Sequence, residues 1–212
     1  LAEGLTLIMT TITYKSKISK FKDTKSTDSF KKTLSDAMPF GNAFIFGSIY
    51  LYLGTVILSK FAPNSDVAIF SVAYQIVLAL LFIPIIYTNA IFPVMSRFYV
   101  SSKSKLAFVY ERSFKYLLAI GLPISACLFV FSGRIISFVY GSQYLQSGRV
   151  LEILAFFIAL KYINFSTGYM LSSSDFQSKR MKSQAIVAIA SVILSWILIQ
   201  RYGYIGAANA IL

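Results

Sequence analysis

Five long apolar stretches divide this chain, and its polar residues collect in the gaps between them. The stretches run Phe40 to Phe61, Val67 to about Met95, Tyr116 to Phe131, Val150 to Leu171 and Gln184 to Ile199. Apolar runs near 20 residues match a ~30 Å hydrocarbon layer at 1.5 Å of helix rise per residue. Inside lipid every backbone N–H and C=O must be paired within its own segment, so such runs predict helices rather than open strands. Two shorter pieces, Leu1 to Thr13 and Gly203 to Leu212, read as truncated helices at the two ends. The predicted fold class is therefore all-α: a polytopic transmembrane helical bundle of five complete spans plus two truncated helices, several of them kinked.

The punctuation between spans is specific. Pro39 sits just before the first span, where a missing N–H does no harm. Ala62-Pro63-Asn64-Ser65-Asp66 reads as a tight external turn. Pro84 bends the second span and Pro93 ends it, with Thr88 and Asn89 placed to satisfy freed carbonyls. Gly121-Leu122-Pro123 kinks the third. Arg97 to Lys115 reads as a basic loop, and Ser132 to Arg149 as an external segment holding a short interfacial helix with Tyr140 and Tyr144 as anchors. Asp175 to Lys182 is a further basic loop. Lys15 to Lys32 is a polar, lysine-rich linker, with a short interfacial helix expected around Ser29 to Ala37.

The fourth span carries a lysine at its centre. Lys161 is about ten residues from either end, roughly 15 Å, whereas a lysine stem reaches about 6 Å, too short to snorkel to a headgroup layer. A central lysine costs about 2.5–3.5 kcal/mol on insertion scales, so Lys161 is expected to face protein or water. Asn164, Gly168 and Ser172 follow it at i+3, i+7 and i+11, forming one polar stripe. Three readings remain at this point: a structural ion pair with an acid on another helix, a cavity cation that meets an anionic substrate, or a stretch that does not span the membrane at all. In the first span Ser48, Tyr52, Thr55 and Ser59 make a second, milder polar face.

Composition narrows the class. The 212 residues are 57% hydrophobic and only 13% charged, about half the charge of an ordinary soluble domain. The net charge of +12 would raise the question of nucleic acid, but its distribution answers it. The segments 14–39, 96–115 and 172–184 hold 15 of the 20 Lys and Arg, the opposite loops hold four, and Lys161 is the last. Positive charge gathers on the cytoplasmic side of membrane proteins, so these loops are expected in the cytoplasm and nucleic acid is not expected as a partner. There is no histidine, which removes imidazole acid–base and metal chemistry, and the single Cys127 forms no intrachain disulfide. Neither a metal nor a cofactor is expected, and no loop is long enough for a catalytic domain.

Several segments resemble a known family. Val67-Ala68-Ile69-Phe70-Ser71-Val72-Ala73-Tyr74 opens a span after a short turn, and Ile91-Phe92-Pro93-Val94-Met95-Ser96-Arg97 closes it. Gly121-Leu122-Pro123 lies in the next helix. Near the end come Leu151-Glu152-Ile153-Leu154 and Leu198-Ile199-Gln200-Arg201-Tyr202-Gly203-Tyr204-Ile205-Gly206-Ala207-Ala208. Together, in this order and spacing from about Ser35 onward, they resemble the later half of a polysaccharide-export flippase of the multidrug/oligosaccharidyl-lipid/polysaccharide superfamily, the O-antigen type. The resemblance implies that residues 1–13 end a helix of an earlier lobe, 14–38 link the lobes, and 39–212 form the C-terminal six-helix lobe with its last helix cut. One departure stands out: where the family often carries an Arg-Asp pair in the first span of this lobe, this chain has Tyr50-Leu51-Tyr52-Leu53-Gly54.

The resemblance implies export of an undecaprenyl-pyrophosphate-linked oligosaccharide across a bacterial inner membrane by alternating access, with membrane lipids and polysaccharide polymerase machinery as further partners and no enzyme activity. On that reading Lys161 contacts the anion, Asn164 and Tyr52 contact sugar, Arg134 and Arg201 steer headgroups at the external rim, and Pro84, Pro93 and Pro123 shape the gates. A cation-coupled drug or metabolite antiporter is the alternative, although it would want a central carboxylate and Glu152 lies at a helix end. An integral membrane polymerase is a third class, and it would want large acidic or histidine-bearing loops.

Overall fold

The computed structural model describes residues 30–174 and 176–212. The expected tail at 1–13, most of the lysine-rich linker and Asp175 lie outside the described residues. Residues 1–37 and 38–212 are separate compact units, and the account below concerns the second. The described chain is helical nearly throughout, without a strand: α1 (Phe30–Phe61), α2 (Asn64–Ser101), α3 (Lys103–Tyr140), a single 3₁₀ turn (Ser142–Tyr144), α4 (Ser147–Ser173) and α5 (Gln177–Ile211). All five α-helices contain stretches long and apolar enough to cross a membrane.

Three of the expected loops are largely helical instead, the shortest being 175–182, whose residues from Gln177 onward open α5. Arg97 to Lys115 is not a loop, because α2 continues through Pro93 to Ser101 and α3 starts at Lys103. Only Ser102 breaks the helices, in extended conformation (φ −164°, ψ 107°), and its hydroxyl caps α3 by accepting from the Lys105 N–H. The charges there mark the edge of the apolar layer, and nothing between Met95 and Ile120 except Ser102 interrupts helix formation. Each of these helices has 38 residues, about 57 Å, so both exceed a ~30 Å hydrocarbon core. Likewise α3 runs on through the expected external segment to Tyr140, and Gly141 ends it at φ 93°.

The lysine-bearing helix α4 is the axis of the bundle. It packs against α2, α3 and α5, and Val150, Leu151, Leu154, Ile158 and Tyr162 on it are fully buried. Small residues bring α3 close: a Cβ on Gly148 would stand 3.1 Å from the Gly133 Cα. Hydroxyls then bond across the interface, Ser125 to the Ala155 carbonyl (2.7 Å) and Ser132 to Glu152 Oε1 (3.1 Å).

Tyr162 ties three helices together. Pro84 lies inside α2 and so deletes the donor that the Leu80 carbonyl would normally meet four residues on. The Tyr162 hydroxyl from α4 donates to that carbonyl at 2.8 Å. Its ring lies directly over Gly121 of α3, where a Cβ would be 2.8 Å from the ring's Cγ. Thr88 bonds the carbonyls of Pro84 and Ile85 within α2 (2.6 and 3.2 Å), so the expected role of Thr88 differs in detail: the orphaned carbonyl is served from the neighbouring helix.

The expected sixth helix emerges from a sharp reversal inside α5. Gly203 has φ 55° and ψ −132°, a combination open essentially to glycine alone. Beyond it the chain doubles back so tightly that Gly206 crosses the Leu198 carbonyl with no room for a side chain. The returning segment packs on α1, where the Tyr50 hydroxyl donates to the Ile211 carbonyl (2.5 Å) and Gly54 faces the Ile211 side chain.

Candidate functional site

Two cavities of about 430 and 420 Å³ flank α1 and share one wall, built from Gly47, Lys161, Asn164, Arg180 and Gln184. The stripe read from α4 is what builds it. Lys161, Asn164 and Gly168 face the larger cavity together with Tyr50 and Phe157. The Arg180 side chain packs against Gly168 and the Gln184 amide against Gly47, each about 3.5 Å from where a Cβ would be.

The Lys161 ammonium lies 4.3 Å from the centre of the Tyr50 ring and 5.3 Å from that of Phe157. Ring faces attract a cation without neutralising it. Among the described residues no carboxylate stands within ion-pair distance of Lys161; the one ion pair they form, Lys115 with Glu111, is on an exposed face of α3. Glu152 lines neither cavity and accepts a hydrogen bond from Ser132.

Arg180 is a second cavity cation that sequence reasoning placed in a basic loop. Its guanidinium donates to the Ser172 hydroxyl and lies 5.6 Å from the Tyr169 ring centre. The Ser172 hydroxyl is within bonding distance of Gln177 Oε1 (2.6 Å), and the Tyr169 hydroxyl donates to Asn89 Oδ1 (2.8 Å). Arg180 is thus held in position by α4 and, through Tyr169, by α2. The signal available in sequence was its spacing: with the α4–α5 connection this short, a basic residue in the first turn of α5 meets the last turns of α4. Gln184, one turn further along α5, lines both cavities with its Oε1 buried and unpartnered among the described residues.

The remaining expected residues lie elsewhere. Tyr52 is 55% exposed and lines neither cavity; two residues earlier and some 200° around the helix, Tyr50 occupies the place expected for it. Arg134 is exposed beside the Phe131 ring, Arg201 is exposed near the Gly203 reversal, and both lie outside the cavities. Pro84, Pro93 and Pro123 all sit within continuous helices, Pro84 buried and the other two exposed. No group of His, Cys, Asp and Glu among the described residues could hold a metal ion.

Comparison with known proteins bears on this wall of charge. Residues 2–99 match the family of polysaccharide biosynthesis proteins. The chain is 26% identical to a Haloferax volcanii protein named "Probable low-salt glycan biosynthesis flippase", over 99% of this chain and 43% of that protein. It is 30% identical to a candidate O-antigen transporter of Shigella dysenteriae, over 85% of this chain and 45% of the relative. It is also 26% identical to a capsular polysaccharide biosynthesis protein of Staphylococcus aureus, over 86% of this chain and 46% of the relative. The chain therefore spans less than half the length of each of these relatives. No solved structure matches it.

Proposed function

We propose, for a chain whose family match and relatives support a polysaccharide flippase-type membrane protein, that this bundle walls the path of a lipid-linked oligosaccharide from the cytoplasmic to the outer leaflet. The protein acts as a transporter, not an enzyme. The single observation that carries the reading is Lys161: an ammonium in the shared wall of two cavities, backed by aromatic rings, with no carboxylate beside it among the described residues.

A diphosphate linker with its sugar cannot cross hydrocarbon unaided. Between two unit charges 4 Å apart the attraction grows from about 1 kcal/mol in water to about 4 kcal/mol near a protein surface, so a half-dry cleft holds such a group where bulk water would not. Lys161 and Arg180 hold the phosphate oxygens, Asn164 and Gln184 offer hydrogen bonds to hydroxyls, and Tyr50 presents a ring face to sugar. Cavities of this size lie within the usual 300–1,000 Å³ of ligand sites. The cations attract without surrounding the anion, which lets it leave again when the site opens to the far side. In this reading the basic end of the bundle, where α2 meets α3 and α4 meets α5, is cytoplasmic, the membrane is the inner one, and a polysaccharide polymerase receives the exported product.

The test uses the full-length protein in its own cells. Lys161→Ala abolishes surface glycan at unchanged membrane abundance, and Lys161→Arg keeps part of it. Normal surface glycan with Lys161→Ala overturns the assignment.

A further inference from the structure

We propose that the α2–α3 junction is a binding site for the headgroup of an anionic phospholipid. Along one face of α3, one turn apart, stand Phe108, Arg112, Tyr116 and Ile120, all exposed. Arg112 is set between its neighbours: its guanidinium carbon is 5.0 Å from the Phe108 ring centre, and Nη1 donates to the Tyr116 hydroxyl at 3.1 Å. Around the Ser102 break, Lys103 lies over the Tyr99 ring (3.1 Å) and Lys105 beside that of Phe98 (5.9 Å). Five basic residues (Arg97, Lys103, Lys105, Arg112, Lys115) face one acid, Glu111, and that acid is taken by Lys115. The other four have no ion-pair partner among the described residues.

What covers this surface follows from its continuity. The same exposed face of α3 passes from Phe108 and Arg112 through Tyr116 to Ile120 and then to Val130, from cationic and aromatic to purely apolar. Tyrosine next to arginine marks the headgroup layer, and the aliphatic and aromatic side chains beyond it mark the tails. A phospholipid lying along α3 would put its tail on Ile120 and its head at Arg112, with Lys105 in reach of a negative phosphate or glycerol-phosphate group. A soluble acidic partner would match the charges but not the apolar continuation. Juxtamembrane basic residues each gain about fivefold in affinity near an anionic leaflet.

The experiment is native mass spectrometry of the full-length protein titrated with phosphatidylglycerol or with phosphatidylcholine of the same acyl chains. Phosphatidylglycerol binds tighter to the parent, and Lys105→Gln/Arg112→Gln weakens it on the order of 25-fold. Phosphatidylcholine binding stays unchanged and reports an intact lipid-facing surface. Lys179→Gln/Lys182→Gln, which removes the same charge from the first turns of α5, leaves phosphatidylglycerol affinity within about twofold. Equal losses in the two double variants, or no preference for phosphatidylglycerol in the parent, overturn the proposal.

Discussion

Replacing Tyr162 with Phe removes one oxygen atom and leaves the Leu80 carbonyl without a donor, since Pro84 has no N–H to offer. Tyr162 is fully buried and Pro84 is buried beside it, so no solvent replaces the lost bond. An interior acceptor left unpaired costs about 1–3 kcal/mol in soluble proteins, and cross-helix bonds within membranes measure about 0.6–2 kcal/mol. The expected loss for Tyr162→Phe is therefore about 1–2 kcal/mol, read as a shift in denaturant unfolding of the purified full-length protein in micelles. The sharper test is a cycle with Pro84→Ala. Alanine restores an N–H four residues after Leu80, and the helix then satisfies its own carbonyl. In Tyr162→Phe/Pro84→Ala the loss falls short of the sum of the single effects by about 1 kcal/mol. If the two substitutions add within about 0.3 kcal/mol, or if Tyr162→Phe unfolds with the parent, the hydroxyl is not splinting the proline bend.

Other substitutions probe neighbouring parts of the same construction. Gly121→Ala forces a methyl to within 2.8 Å of the Tyr162 ring carbons and lowers stability by about 1–3 kcal/mol in the same unfolding assay; Cys127→Ala, exposed on the same helix, leaves it unchanged. Gly203→Ala imposes a left-handed conformation on a residue with a Cβ, 3.3 Å from Asp66 Oδ2, and costs about 1–3 kcal/mol, seen as a lower melting temperature. Arg180→Gln lowers glycan export at normal membrane abundance, and Ser172→Ala, which releases the guanidinium without removing its charge, lowers it less.

Much of this was legible in the chain. Apolar runs located all five helices, because lipid leaves the backbone no alternative to helix, and the centrality of α4 followed from a lysine that lipid could not accommodate. Three features were hidden for physical reasons. Polarity from Arg97 to Lys115 reports departure from hydrocarbon, not departure from helix, and only the conformation of Ser102 separates α2 from α3. In α1 Ser48, Tyr52, Thr55 and Ser59 make a mildly polar face from which Tyr52 was expected to meet sugar, yet Tyr52 and Ser59 are exposed while Gly54, Ile57 and Leu58 are buried; small and branched residues pack helices together, and hydroxyls can bond their own backbone, as Ser59 does to Val56. Arg180 reads as one more basic loop residue until the fold brings the first turn of α5 beside Ser172.

Lys161 and Tyr162 are consecutive, about 100° apart on one helix. The first points its charge into the cavities, and the second is bolted to the α2 backbone and wedged over a glycine of α3. The α4 backbone cannot turn one of these positions without turning the other, so the helix position that carries the ammonium is tied to α2 and α3 through its neighbour. On the proposed flippase reading, the two openings of the path are arranged around one anchored stretch of α4, and the helices that line it move relative to that stretch.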